Sequence, residues 1–126
     1  MRLLLDTAVL LFAVQSPERL TKRATAVLGN PENTRELSAL SISEIAIKAA
    51  LRKLEFSIAD IERAIEDLDL RVLPYTTDHA FRLFGLALHH TDLFDRQLIA
   101  QALFEEIPIV TCDEKFSLYK GHEIIW

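Results

Sequence analysis

One cysteine, three glycines and four prolines are all that 126 residues hold of the types that cross-link, loosen or lock a backbone. A lone Cys112 excludes an internal disulfide framework, and with it the small stapled folds of secreted proteins. With no histidine paired to it, Cys112 is expected to be a small buried apolar residue and not a nucleophile. Gly29, Gly85 and Gly121 stand apart from one another, so no glycine loop is available to cradle a phosphate. Long apolar runs are missing too: the longest, LLLDTAVLLFAV, is interrupted by Asp6 and Thr7 and is too short to span a bilayer. Only Arg2 precedes it and no cleavage-like site follows, which argues against a secretory leader. Excess positive charge is also absent. The 14 Lys and Arg face 19 Asp and Glu, a net charge of −5, which disfavours a binder of long duplex DNA. It does not exclude a nuclease, because clustered carboxylates add negative charge that bound cations neutralise. These absences favour a soluble protein of the cytoplasm with no membrane contact.

What is present suits a single domain spanning residues 1–126, half of it hydrophobic. Apolar runs predict strands at Arg2–Asp6, Leu37–Leu40, Leu70–Leu73, Ile107–Thr111 and Glu123–Trp126. Helices are expected over Ala8–Val14, Arg19–Leu28, Ser43–Leu54, Ser57–Leu68, Thr77–Leu88 and Leu93–Glu106, with a helical turn at Asp113–Tyr119. Gly29-Asn30-Pro31 and Pro74 are breakers, and Ser57 with Asp60 three residues on reads as a capping box. Strands that alternate with helices imply an α/β fold, a three-layer sandwich with a parallel sheet between helices. Ligands of such sheets bind outside the carboxyl ends of the strands. Asp6 and Asp113 fall at those ends, and Glu44 lies just beyond the second strand.

Each acid has two readings. Asp95 sits i, i+4, i+7 with Ile99 and Ala102, on the face expected to be buried, where a charge needs a partner or a metal. Its alternative is a first-turn acid on the helix dipole, but Asp92 already occupies the N-cap position. Glu44 completes a Ser41-x-x-Glu44 capping box or pairs with Lys48, or else begins a stripe with Lys48 and Arg52 beside a phosphate track. Asp6 caps the next helix or binds a cation, with Thr7 beside it to cap or to orient a water. Asp113 caps the turn after it or joins the same site, where Thr111 could hydrogen bond. Crowded carboxylates without a cation repel one another, and a hard divalent ion with oxygen ligands relieves them. Such an ion can activate water for phosphodiester hydrolysis. His89 and His90 lack the spaced partners of a zinc site and read as surface loop residues open to RNA contact. Trp126 reads as a packing residue at the end of the last strand.

Three blocks, LLLDTAVLLF, SISEIAIKAALRKL and HHTDLFDRQLIAQALFEEIPIVTCDEKF with a terminal IIW, carry a resemblance over essentially the whole chain. The sequence resembles the PIN-domain ribonucleases, and within them the VapC-type toxins of toxin–antitoxin pairs. The resemblance implies a parallel sheet between helices. It implies an acidic site at Asp6, Glu44, Asp95 and Asp113 that binds Mg2+, with Mn2+ as a substitute, and a metal-dependent endoribonuclease. Asp92 would be a neighbour in the same loop, and Lys48, Arg52, Arg96 and Lys115 candidates for RNA backbone contacts. The partners implied are an RNA substrate, a cognate antitoxin and a second copy in a homodimer. Two positions depart from relatives: Ala8 replaces a frequent His or Asn, and Leu93 replaces a frequent Pro. Two other classes compete. A catalytically inactive PIN-like module would bind RNA or protein without cleaving. A receiver-like phosphoryl-transfer domain would need an acid pair after the first strand and a late lysine, where this chain has Asp6-Thr7 and Thr111-Cys112-Asp113.

Overall fold

The computed structural model describes residues 1–126. Five short strands form one sheet: β1 (Arg2–Leu5), β2 (Thr34–Ser38), β3 (Leu70–Leu73), β4 (Ile109–Val110) and β5 (Ile124–Ile125). Their order is β3-β2-β1-β4-β5 and every neighbouring pair is parallel. Parallel neighbours cannot be joined by a tight hairpin, so each connection crosses over. The crossovers carry α1 (Thr7–Gln15), α2 (Lys22–Gly29), α3 (Ala39–Ala50), α4 (Ile58–Asp67), α5 (Thr77–Arg82) and α6 (Leu93–Glu105). The last one, from β4 to β5, is only a 3-10 turn at Glu114–Leu118.

Alternation along β1 splits the core in two. Leu3 and Leu5 join Val9, Leu10, Leu37, Ile45, Ile61 and Val110 on the face covered by α1 to α4. Leu4 points the other way, to Ile109, Phe116 and the α6 residues Leu98, Ile99 and Ala102. Helix α5 then packs on the outside of α6. Enclosure from both sides explains why α6 buries five consecutive residues, Leu98 to Ala102, with no clean polar stripe among them. The expected α/β sandwich is therefore the one observed. Trp126 packs against the first cluster as expected, with its ring 6.4 Å from that of Phe12.

The boundary between β2 and α3 differs from expectation. The strand runs Thr34–Ser38 and the helix starts at Ala39, four residues earlier than the sequence pattern placed it. Ser38 is the N-cap, its Oγ accepting from the Leu40 amide at 3.1 Å. Ser41 and Glu44 therefore lie inside the helix and form no capping box. Polarity hides β2 in the sequence, because it contains Arg35 and Glu36. Glu36 is fully buried, yet it is matched by Arg2 at 2.6 and 3.0 Å. At the other end, α3 stops at Ala50, and Arg52 adopts a left-handed φ of 57° beyond it. The stripe Glu44–Lys48 thus does not continue helically to Arg52.

Two helices are bounded differently from the sequence pattern. Helix α2 begins at Lys22 under a Thr21 cap, after a separate 3-10 turn at Pro17–Arg19. Helix α5 ends at Arg82, and a 3-10 turn at Leu83–Gly85 leads into extended Leu86. The capping box of Ser57 and Asp60 opens α4 as expected.

Candidate active site

Strand order fixes where a crevice opens. From β1 the chain moves outward through β2 and β3, then returns to place β4 and β5 on the other side. The switch lies between β1 and β4, and ligands of open parallel sheets bind outside the carboxyl ends at such a point. Asp6 directly follows β1, and Asp113 follows β4 by three residues. Both line a cleft of about 460 Å³ together with Thr7, Ala8, Glu44, Lys48, Asp92, Asp95 and Cys112. Acids distant in sequence thus meet on the walls of one cavity.

Asp6 is nearly buried and holds the N-cap position of α1, but its side chain makes no cap hydrogen bond. Its Oδ2 instead accepts from Thr111 Oγ1 at 2.7 Å, across the switch point. Burial pushes the Asp6 carboxyl up to about 6 against the lowering effect of Thr111, and the charges of Glu44 and Asp113 push in the same direction as burial. Thr7 Oγ1 donates to Glu44 Oε1 at 2.9 Å and lies 2.8 Å from the buried Ser41 Oγ. Glu44 Oε2 accepts from Lys48 Nζ at 2.6 Å, the i, i+4 pair expected from sequence. The bond to Glu44 is the main reason why the Lys48 ammonium is raised above its ordinary value.

On the opposite wall, Asp92 is the N-cap of α6, as its sequence position suggests. Its Oδ1 accepts from the amides of Phe94 and Asp95 at 3.0 and 2.8 Å. Asp95, one turn in, has its side chain only 20 % exposed. Burial drives its carboxyl up to about 7, reinforced by the charges of Asp92, Asp6, Asp113 and Glu44. Asp113 caps the turn after β4 through Lys115 N at 2.9 Å, so its capping role is realised while it also lines the cleft. Thr111 Oγ1 accepts from the Asp113 amide at 3.1 Å, which ties the two acids flanking the switch point to one hydroxyl.

Of the four cations named from sequence, only Lys48 is on the cleft wall. Arg52 lies past the end of α3, and Lys115 is exposed on the turn after Asp113. Arg96 spends its guanidinium on the chain itself, donating to Ala87 O, Leu86 O and Tyr119 Oη at 2.8, 3.4 and 3.0 Å. Two expectations are overturned. His90 is not a free surface residue: its side chain is 10 % exposed, with Nε2 3.3 Å from Asp95 Oδ2. Cys112 is exposed, not buried, because Thr111 takes the inward position beside Asp6 and alternation turns the next residue outward. Partial desolvation of its sulfur by the neighbouring chain raises the thiol pKa, with the Asp6 charge adding to the effect.

The donor set suits a hard divalent cation: carboxylate oxygens, hydroxyls, and two acids held well above the carboxylate range. No three Asp, Glu, His or Cys side chains stand as a finished ligand set, however. Glu44 and Asp113 have oxygens engaged by Thr7, Lys48 and the Lys115 amide. A cation therefore needs rotation of those side chains or intervening waters.

Among curated proteins none matches. Several solved structures share the fold over nearly the whole chain. VapBC2 from Rickettsia felis, bound to a DNA fragment from its promoter, is 17% identical with a TM-score of 0.70, covering 98% of this chain and 97% of that one. DNA-bound VapBC from Salmonella typhimurium is 18% identical at a TM-score of 0.68, covering 98% and 96%. FitAcB from Neisseria gonorrhoeae is 18% identical at 0.64, covering 97% and 95%. At such identities the likeness is one of fold. The PIN domain profile matches residues 3–121, from the first strand through the turn before the last. It takes in the switch point and every acid of the cleft, and by it the chain belongs to the PIN domain family.

Proposed function

We propose that this protein is a metal-dependent endoribonuclease and the toxin of a toxin–antitoxin pair. One observation carries the nuclease reading. Asp6, Glu44, Asp92, Asp95 and Asp113 line one cleft with Lys48, and burial and neighbouring acids push the Asp6 carboxyl up to about 6 and that of Asp95 up to about 7. Such a cluster is poorly stable as anions alone, and a divalent cation is the partner that relieves it. Asp6, Glu44, Asp95 and Asp113 would hold Mg2+ or Mn2+, directly or through waters. Bound there, the ion would supply Lewis acidity and a more acidic water for phosphodiester hydrolysis.

The chain's own groups do the positioning. Thr111 fixes Asp6 Oδ2, and Thr7 fixes Glu44 Oε1. Lys48, already in the cleft, places a positive charge where negative charge develops on phosphate oxygens. Lys115 and Arg52 lie further out and would meet the RNA backbone, whereas Arg96 has internal duties. The toxin reading rests on membership of the PIN family and on fold likeness to toxin–antitoxin assemblies. It entails a homodimer, silenced in the cytoplasm by an antitoxin segment laid over the cleft.

A second reading has its own observation. Glu44 is already neutralised by Lys48 at 2.6 Å, as it would be in a module that binds RNA or protein without metal. Purified protein incubated with structured RNAs, in Mg2+ or Mn2+ and in EDTA, separates the two. The nuclease reading expects cation-dependent cleavage, lost in Asp6→Asn and Asp95→Asn while circular dichroism shows the fold intact. Cleavage that survives EDTA or both substitutions contradicts it, and a folded wild type inactive on every RNA supports the binding module.

A further inference from the structure

A buried phenol sits behind Asp95, and none of the steps above uses it. Tyr119 belongs to the core beneath α6, and its ring meets that of His90 edge-on at 5.4 Å. Three nitrogens converge on its oxygen: Arg96 Nη1 at 3.0 Å, the backbone N of His90 at 3.3 Å and His90 Nδ1 at 2.7 Å. Two of them, guanidinium and amide, can only donate. The phenol accepts both and has one proton of its own to give, which goes to Nδ1. A neutral imidazole that accepts on Nδ1 carries its proton on Nε2. Nε2 is the atom that faces Asp95 Oδ2, at 3.3 Å. Arg96 is not free to swing away from this arrangement, because it also binds the carbonyls of Ala87 and Leu86.

We infer that His90 is a positioning residue for Asp95, locked by Tyr119 and Arg96 into the tautomer whose Nε2–H holds Asp95 Oδ2 and leaves Oδ1 to the cleft. The inference rests on the proposed role of Asp95 as a cation-binding carboxylate. An aspartate χ2 is a broad, soft torsion. One oriented donor selects a carboxylate plane, and groups that orient a ligand in this way are worth roughly ten- to a hundredfold in metal affinity or activity. It also gives the loop between α5 and α6 a purpose. The loop's carbonyls at Leu86 and Ala87 clamp Arg96, and its histidine reaches the site.

Two readouts other than activity test it, on the full chain. Long-range proton–nitrogen NMR of the imidazoles should show His90 as the Nε2–H tautomer in the wild type and a mixture in Tyr119→Phe, which keeps the buried ring. Mn2+ titration by calorimetry should show affinity reduced about tenfold or more in Tyr119→Phe and His90→Ala. His90→Gln should recover part of the loss, because its amide N–H reaches the place of Nε2. Unchanged affinity in Tyr119→Phe and His90→Ala, beside loss in Asp95→Asn, overturns the inference and leaves the proposed function standing. A loss in His90→Ala that His90→Gln does not relieve, with the tautomer unmoved in Tyr119→Phe, makes the histidine a packing residue and overturns it as well. A wild type that binds no Mn2+ overturns both the inference and the metal reading.

Discussion

Asp6 and Asp95 reach unusual protonation for the same first reason, burial, and for the same second one, other acids nearby. This makes a signed prediction. Their folded-state values, about 6 and about 7, lie above the ordinary 3.8 that each regains on unfolding. The folded state therefore binds more protons between pH 4 and 7, and these two groups take stability away as pH rises through that window. In EDTA, Asp95→Asn should raise the melting temperature at pH 8 and change it little at pH 4. An equal effect at both pH values would remove the electrostatic cause. Added Mn2+ should restore the wild type at pH 8 and do nothing for Asp6→Asn. At this scale the sequence was informative where spacing alone decides. The i+4 and i+7 relation of Asp95 to Ile99 and Ala102 put it on the inward side, and Asp92 was recognisable as the cap. The contact of His90 with Tyr119 was not recognisable, because 29 residues and the turn after β4 separate them.

Elements were legible where their ends carry local chemistry and obscure where a distant residue completes them. The box of Ser57 and Asp60 could be read directly, and Ser57→Ala should cost about 1 kcal/mol in urea denaturation by uncapping α4. Strand β2 was legible only at its end, as Leu37–Leu40, because Glu36 becomes a core residue only through Arg2, 34 positions away. The same guanidinium reaches Glu105 at the end of α6, whose other oxygen is 3.1 Å from His79 Nε2. Burial alone would raise the Glu105 carboxyl, but Arg2 and His79 hold it below its usual value. Replacing Arg2 by Ala leaves Glu36 charged and buried with no partner, a loss of roughly 3 kcal/mol or more. The double change Arg2→Leu with Glu36→Leu should be milder than Arg2→Ala alone, since no orphaned charge remains. Glu106, at φ 57°, ends α6 in a conformation that favours glycine. Glu106→Gly should add about 0.5–1 kcal/mol, measured in the same way.

At the scale of the molecule, alternation of strands and helices was enough to give a parallel sheet, and the sheet was enough to say at which edge the acids gather. It could not give the strand order, which depends on how whole crossovers pack. That order is what brings Asp6 against the Thr111–Asp113 segment and sets Glu44 and Asp95 on facing walls. The net charge of −5, awkward for the RNA substrate proposed, is partly accounted for by this cleft, where five acids surround one lysine. The central question for this cleft is whether a cation belongs there. Crystals grown without metal and then soaked in MnCl2 test this most directly, read from the anomalous scattering of manganese. The predicted result is a peak inside the cleft in contact with Asp6 or Asp95, absent from Asp6→Asn crystals. Manganese found only on the outer surface, or nowhere at millimolar concentration, would contradict the account.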